Sequence, residues 1–154
     1  MKILVLAGGF ATRLWPITEN RAKPLLLVNG QTILHHLLEK LKNIDPRDII
    51  ILTNQKFEQD FREALVKFGN EQSQIFIEDA KNEGAKLGAL KAVSCCIEHF
   101  NIQENIAILA GDNLLTDFEI EHLQVKDNQA CILVREVESL YESRKFGVVE
   151  MDGH

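Results

Sequence analysis

The sequence predicts an α/β domain, three layers α/β/α around a mostly parallel central sheet, and three observations predict it. Short apolar runs recur at Ile3–Ala7, Ile49–Thr53, Gln74–Ile77, Ile106–Ala110 and Ala130–Val134. Longer stretches with helically spaced apolar residues separate most of them, and this alternation argues for buried strands covered by crossover helices. The first run passes directly into the pair Gly8-Gly9, at the place where parallel α/β sheets hold ligands. The expected fold class is Rossmann-like.

The elements follow in order. After the glycine turn, Leu25–Val28 leads to Asn29-Gly30, a hairpin signal, and Thr32 is placed to cap a helix. Ile33, Leu37, Leu38 and Leu41 keep helical spacing there. His35 and His36 are neighbours, so they point about 100° apart and cannot share a metal as an i, i+4 pair could; they read as facing solvent or a partner. Asp45-Pro46 breaks that helix. Lys56–Phe68 forms the next, with Phe57, Phe61, Leu65 and Phe68 on one stripe that reads as core, and Gly69-Asn70 ends it. A short acidic helix is expected from Asp117.

Composition narrows the function classes. With 154 residues and 45% hydrophobic content, the chain is one domain with enough material for a core. It has no run of eighteen apolar residues and no basic-then-apolar leader, so it reads as soluble and cytoplasmic, with no membrane partner. Seventeen basic residues against twenty-three acidic ones give a net charge of −6, with no basic patch, which disfavours nucleic acid. Cys95, Cys96 and Cys131 lack CxxC spacing and read as reduced core thiols.

Two stretches carry chemistry. Gly8 and Gly9 let backbone approach a phosphate and leave N–H groups free to point at it. Arg13 adds a planar charged fork past the turn, and Lys23 adds a point charge ten residues later. No Gly-Lys-Ser/Thr closes a P-loop, and the third glycine of a dinucleotide fingerprint is missing. Further on, the run Ile106–Ala110 ends in Gly111-Asp112-Asn113, presenting one carboxylate at the sheet's edge, where a hard cation bridges such a group to phosphate oxygens. Read alone, an aspartate after a strand is more often a turn or cap residue.

The full string Leu6-Ala7-Gly8-Gly9-Phe10-Ala11-Thr12-Arg13-Leu14-Trp15-Pro16-Ile17-Thr18, with Arg21-Ala22-Lys23-Pro24-Leu25, resembles the signature of the sugar-1-phosphate nucleotidylyltransferases. That resemblance implies transfer of a nucleotidyl group from a nucleoside triphosphate to a sugar 1-phosphate, with release of pyrophosphate. It implies that Arg13 steadies the departing pyrophosphate, that Lys23 pairs with the phosphate that attacks or is attacked, and that Asp112 holds Mg²⁺. Leu6, Ala7, Gly8, Gly9, Thr12, Asp79 and Gly84 would enclose the nucleotide, Asp79 by counting five residues back from a glycine that opens a helix. Gly88 gives a second register for that loop, and the choice stays open. Gly147, in the run Tyr141–Glu150, would let backbone approach the hexose. Asn113 leans towards thymidylyl or uridylyl transfer onto glucose 1-phosphate.

Two departures stand out. Ala11 occupies a position where the family commonly has glycine; if its φ is positive, the cost is about 1 kcal/mol. The chain also stops at Met151-Asp152-Gly153-His154 in a hairpin signal, so residues 1–154 read as a nucleotidyltransferase domain truncated at its C-terminal end. A non-catalytic nucleotide-binding fragment or regulatory module is therefore the alternative. A molybdenum-cofactor nucleotidyltransferase, which also opens Leu-Ala-Gly-Gly, ranks last. Base, sugar and any homo-oligomer are left open.

Overall fold

The computed structural model describes residues 1–79, 84, 88–123, 125, 129–134, 141, 144 and 147–149. It divides into two compact units, Met1–Ile120 and Glu121–His154.

The first unit is built on four parallel strands, β1 (Lys2–Leu6), β4 (Ile49–Asn54), β5 (Gln74–Glu78) and β6 (Ile106–Ala110), in the order β5-β4-β1-β6. The central strands are the most apolar, and every residue of β4 is buried, as a strand covered on both faces requires. Between β1 and β4 lie a two-stranded hairpin, β2 (Leu27–Val28) and β3 (Gln31–Thr32), and helix α1 (Ile33–Lys40). Asn29 and Gly30 turn the hairpin with φ of 50° and 81°, the two positive values that an Asn-Gly turn supplies. Thr32 caps α1 by accepting from the His35 amide. Helix α2 (Glu58–Lys67) joins β4 to β5 and stops at Gly69, whose φ is +69°. There the Gly69 amide donates to Val66 and the Asn70 amide to Leu65, which satisfies the last carbonyls. Helix α3 (Ala89–His99) precedes β6.

Crossover handedness sets the layers. The connections β1–α1–β4 and β4–α2–β5 advance in one direction across the sheet, and β5–α3–β6 runs back past β1. Right-handed crossovers then put α1 and α2 on one face and α3 on the other. The packing agrees: Leu4, Ile50 and Leu52 sit in one cluster with Ala92, Val93 and Cys96 of α3, while the alternate residues Ile3, Val5, Ile49 and Ile51 are buried on the opposite face. Burial pushes the Cys96 thiol up to about 11, which keeps it protonated as a core thiol.

Several expectations change. The two histidines are packed inward: His35 meets the Phe68 ring edge-on at 4.5 Å, and His36 Nε2 lies 2.9 Å from the Val28 carbonyl oxygen. Cys131 is exposed and Cys95 half-buried, so only Cys96 is a core thiol. Residues Ala130–Val134 form no strand and are exposed; an apolar run becomes a strand only where a neighbour completes its ladder. The acidic helix expected from Asp117 is a short 3-10 turn, Ile120–Leu123. The turn at Met151–His154 lies outside the described residues. Among the described residues, no helix is long and apolar enough to cross a membrane.

Candidate active site

The carboxyl ends of the four strands converge on a cavity of about 310 Å³. Leu6, Ala7, Gly8 and Gly9 enter its wall from β1, Leu52 and Thr53 from β4, Glu78 from β5, and Ala110 and Asp112 from β6. Lys23 and Pro24 complete one side; Gly88 and Ala89, where α3 opens, complete another. Strand β1 has β4 on one side and β6 on the other, so the strand order reverses here, at the place where open parallel sheets bind ligands.

The glycine loop is held from three directions. Ala7 donates to the Leu52 carbonyl at 2.8 Å, and the Gly111 amide donates to Leu6 at 2.9 Å. Asn54, fully buried, donates from Nδ2 to the Gly8 carbonyl at 2.9 Å and accepts the Phe57 amide on Oδ1. The last threonine of the motif has a task of the same kind: buried Thr18 donates to the Ala11 carbonyl at 2.8 Å. Ala11 is indeed left-handed, with φ 47° and ψ 42°.

A test of that strain follows. An alanine there costs ~1–2 kcal/mol, against ~0.4–1 kcal/mol for the extra unfolded-state freedom of glycine. Ala11→Gly is expected to raise the melting temperature by about 2–4 °C, the shift that ~1 kcal/mol gives in a chain of this size. Thermal unfolding followed by circular dichroism checks it, and a lower melting temperature contradicts it.

Lys23 and Asp112, predicted separately, meet across the cavity. The Lys23 ammonium donates to Asp112 Oδ2 at 2.9 Å, although 89 residues separate them in sequence. Their side chains are 35% and 41% exposed, so the pair contributes no more than ~1 kcal/mol. A phosphate can therefore take the lysine from the aspartate at little cost. The remaining predicted residues lie elsewhere. The wall on this side ends at Ala11, and Thr12 and Arg13 stand exposed on the 3-10 turn Thr12–Leu14 beyond it. Asp79 and Gly84 are exposed and outside the wall. The glycine that opens α3 is Gly88, with φ +81°. Five residues before it stands Glu83, outside the described residues. Gly147 is exposed in the second unit.

Sequence reasoning passed over three residues here: Thr53, Asn54 and Glu78. All three are buried, and Thr53 Oγ1 has no hydrogen-bond partner. The signal was a polar residue at the carboxyl end of an otherwise apolar parallel strand, where side chains face the crevice. Among the described residues, no group of three His, Cys, Asp or Glu could hold a metal. A single carboxylate still suits Mg²⁺ that arrives with a nucleotide, because this ion keeps several waters and takes its other ligands from phosphates.

A crevice of this kind, acid facing base over a glycine turn at the carboxyl ends of parallel strands, belongs to a Rossmann-like α/β protein. The chain belongs to the nucleotidyl transferase family, whose match runs over residues 2–154. Among its relatives are the bifunctional protein GlmU of Methanococcus maripaludis strain C7, 28% identical over 98% of this chain, and mannose-1-phosphate guanyltransferase of Aspergillus fumigatus, 27% identical over 97%. The chain spans 33% and 40% of their respective lengths. Among solved structures, a putative glucose-1-phosphate thymidylyltransferase from Bacillus anthracis superposes with a TM-score of 0.62 at 30% identity, over 76% of this chain and 46% of its own. CTP:phosphocholine cytidylyltransferase from Streptococcus pneumoniae gives 0.61 at 29% identity, over 78% and 49%.

Proposed function

We propose that the protein transfers a nucleotidyl group from a nucleoside triphosphate to a sugar 1-phosphate, releasing pyrophosphate. The observation that carries this reading is the Lys23–Asp112 contact at the mouth of the glycine-walled cavity. The reaction is an in-line displacement at the α-phosphorus: the sugar phosphate oxygen bonds to it as the bond to pyrophosphate breaks. Such a step needs aligned reactants and neutralised charge more than covalent help. The amides of Gly8 and Gly9 point at the triphosphate. Lys23 leaves Asp112 for a phosphate oxygen, and Arg13, exposed beyond Ala11, steadies the departing pyrophosphate. Asp112, freed of its lysine, would hold Mg²⁺, which would supply charge neutralisation at the phosphate oxygens. Leu6, Thr12, Asp79 and Gly84 belong to the nucleotide's surroundings in this reading. The setting is the cytoplasm.

The test is pyrophosphate release, measured with each common nucleoside triphosphate and a panel of hexose 1-phosphates in the presence of Mg²⁺. Release that depends on both substrates is the expected result. Nucleotide binding by calorimetry without release under any pairing would favour the binding-module alternative.

A further inference from the structure

One peptide in the cavity wall has nothing in its own residues to hold its direction. It joins Gly8 to Gly9. Turning a peptide plane over changes the ψ of the residue before it and the φ of the residue after it, and with glycine on both sides no Cβ opposes the turn. The direction matters, because in a trans peptide the carbonyl and the following N–H point opposite ways. One orientation offers an N–H to an anion in the cavity. The other offers a carbonyl oxygen, which repels it.

Asn54 fixes that direction. It closes β4 and is fully buried. Its Nδ2 donates to the Gly8 carbonyl at 2.9 Å, which turns the Gly9 N–H away from Asn54. The side-chain amide cannot be reversed end for end, because its Oδ1 accepts the Phe57 N–H at 3.2 Å. Among the described residues, neither the Gly8 nor the Gly9 N–H finds an acceptor, and both glycines stand in the cavity wall. The rest of the turn from β4 into α2 grips the same loop. Phe57 is buried, with its ring 6.0 Å from that of buried Phe10, and the Lys56 ammonium donates to the Glu19 carbonyl. Asn54, Phe57 and Lys56 thus fasten the loop at Gly8, Phe10 and Glu19.

Resting on the nucleotidyl-transfer reading, we infer that Asn54 is a positioning residue for the triphosphate: by holding the Gly8 carbonyl, it aims the Gly9 N–H at a phosphate oxygen. Asn54 touches no substrate and acts through the peptide. Without its donor, the glycine pair samples both orientations, and the one with the carbonyl inward excludes phosphate. Asn54→Asp goes further and reverses the polarity. One carboxylate oxygen still accepts the Phe57 N–H, but the other faces the Gly8 carbonyl and can only accept, so the Gly9 N–H turns towards the carboxylate. Asn54→Ser, with a shorter side chain, releases the peptide without adding charge.

The test follows the Gly9 amide by NMR in the isotope-labelled full chain as Mg²⁺ with ATP, GTP, CTP, UTP or dTTP is added. Calorimetry then gives the affinity of each variant for the tightest of these, well below its melting temperature. In the unaltered protein, the Gly9 amide proton is expected to move downfield as the site fills. Asn54→Asp and Asn54→Ser are expected to bind about tenfold to a hundredfold more weakly, the effect of losing a hydrogen bond to a charged group, and their Gly9 amide is expected to stay in place. A merely structural Asn54 would lower the melting temperature and leave both the affinity of the folded variant and the Gly9 response unchanged; that result overturns the inference. Should neither variant fold, the unaltered protein decides, since a Gly9 amide unmoved by saturating nucleotide also overturns it. Pyrophosphate release by the unaltered protein with a silent Gly9 amide would leave nucleotidyl transfer standing and remove only the role of Asn54. If none of these triphosphates binds, the nucleotidyl-transfer reading fails and takes this inference with it.

Discussion

Asp112→Asn is expected to lower pyrophosphate release several-hundredfold while the protein stays folded. Removing one group that acts on transition-state charge typically costs about 2.7–4 kcal/mol, and asparagine keeps the shape while deleting the charge. The structural cost is small for a reason visible in the site: the contact with Lys23 is half-exposed, and such pairs contribute ~0–1 kcal/mol. A melting temperature within about 4 °C of the parent therefore accompanies the loss. Lys23→Ala is expected to fall by a similar factor. The double variant is expected to lose less than the two factors multiplied, because residues that touch and act on one reaction are not additive. Parent-like release from Asp112→Asn, or a loss explained by unfolding, would remove Asp112 from the mechanism.

What the sequence made legible was local, and what it hid depended on other strands. The turn after β1 and the aspartate after β6 could be read because a glycine pair and a Gly-Asp step each end an apolar run within a few residues. Their meeting also followed, since parallel strands place all their carboxyl ends on one side. The register between β5 and α3 did not follow. Both Gly84 and Gly88 could open a helix, and only the backbone, with φ +81° at Gly88, distinguishes them. Thr53, Asn54 and Glu78 were hidden for another reason. Thr53 and Asn54 close β4 and Glu78 closes β5, and a polar residue at such an end looks like part of a loop until its neighbours are known. Asn54 shows the consequence, because its amide fastens Gly8 from 46 residues away. The run Ala130–Val134 erred in the opposite sense, carrying a strand's composition without the neighbouring strand that makes one.

Gly111→Ala is expected to destabilise the protein by about 1–3 kcal/mol, the cost of forcing one methyl into a packed site. Propensity alone gives the opposite sign. Gly111 does not adopt a positive φ, and Gly→Ala at a tolerant position stabilises by ~0.4–1 kcal/mol through the unfolded chain. Space decides. A Cβ on Gly111 would lie 2.9 Å from the Leu6 carbonyl oxygen, 3.1 Å from Val5 Cγ1 and 3.4 Å from Ala7 Cβ. The nearest of these is backbone, in a strand bonded to β4 on one side and β6 on the other, and it cannot yield without disturbing both ladders. That same carbonyl accepts the Gly111 amide at 2.9 Å, so relief of the clash stretches the bond that places Asp112. A shift of about 1 Å in a positioned group can cost ~100-fold in rate, so release is expected to fall well beyond what the remaining folded fraction explains. Gly9→Ala is the matching control for stability, since nothing lies within 4 Å of its Cβ. Its melting temperature is expected at or above the parent's, whereas a Gly111→Ala variant that melts no lower than the parent would show that β1 and β6 are not so closely joined at the site.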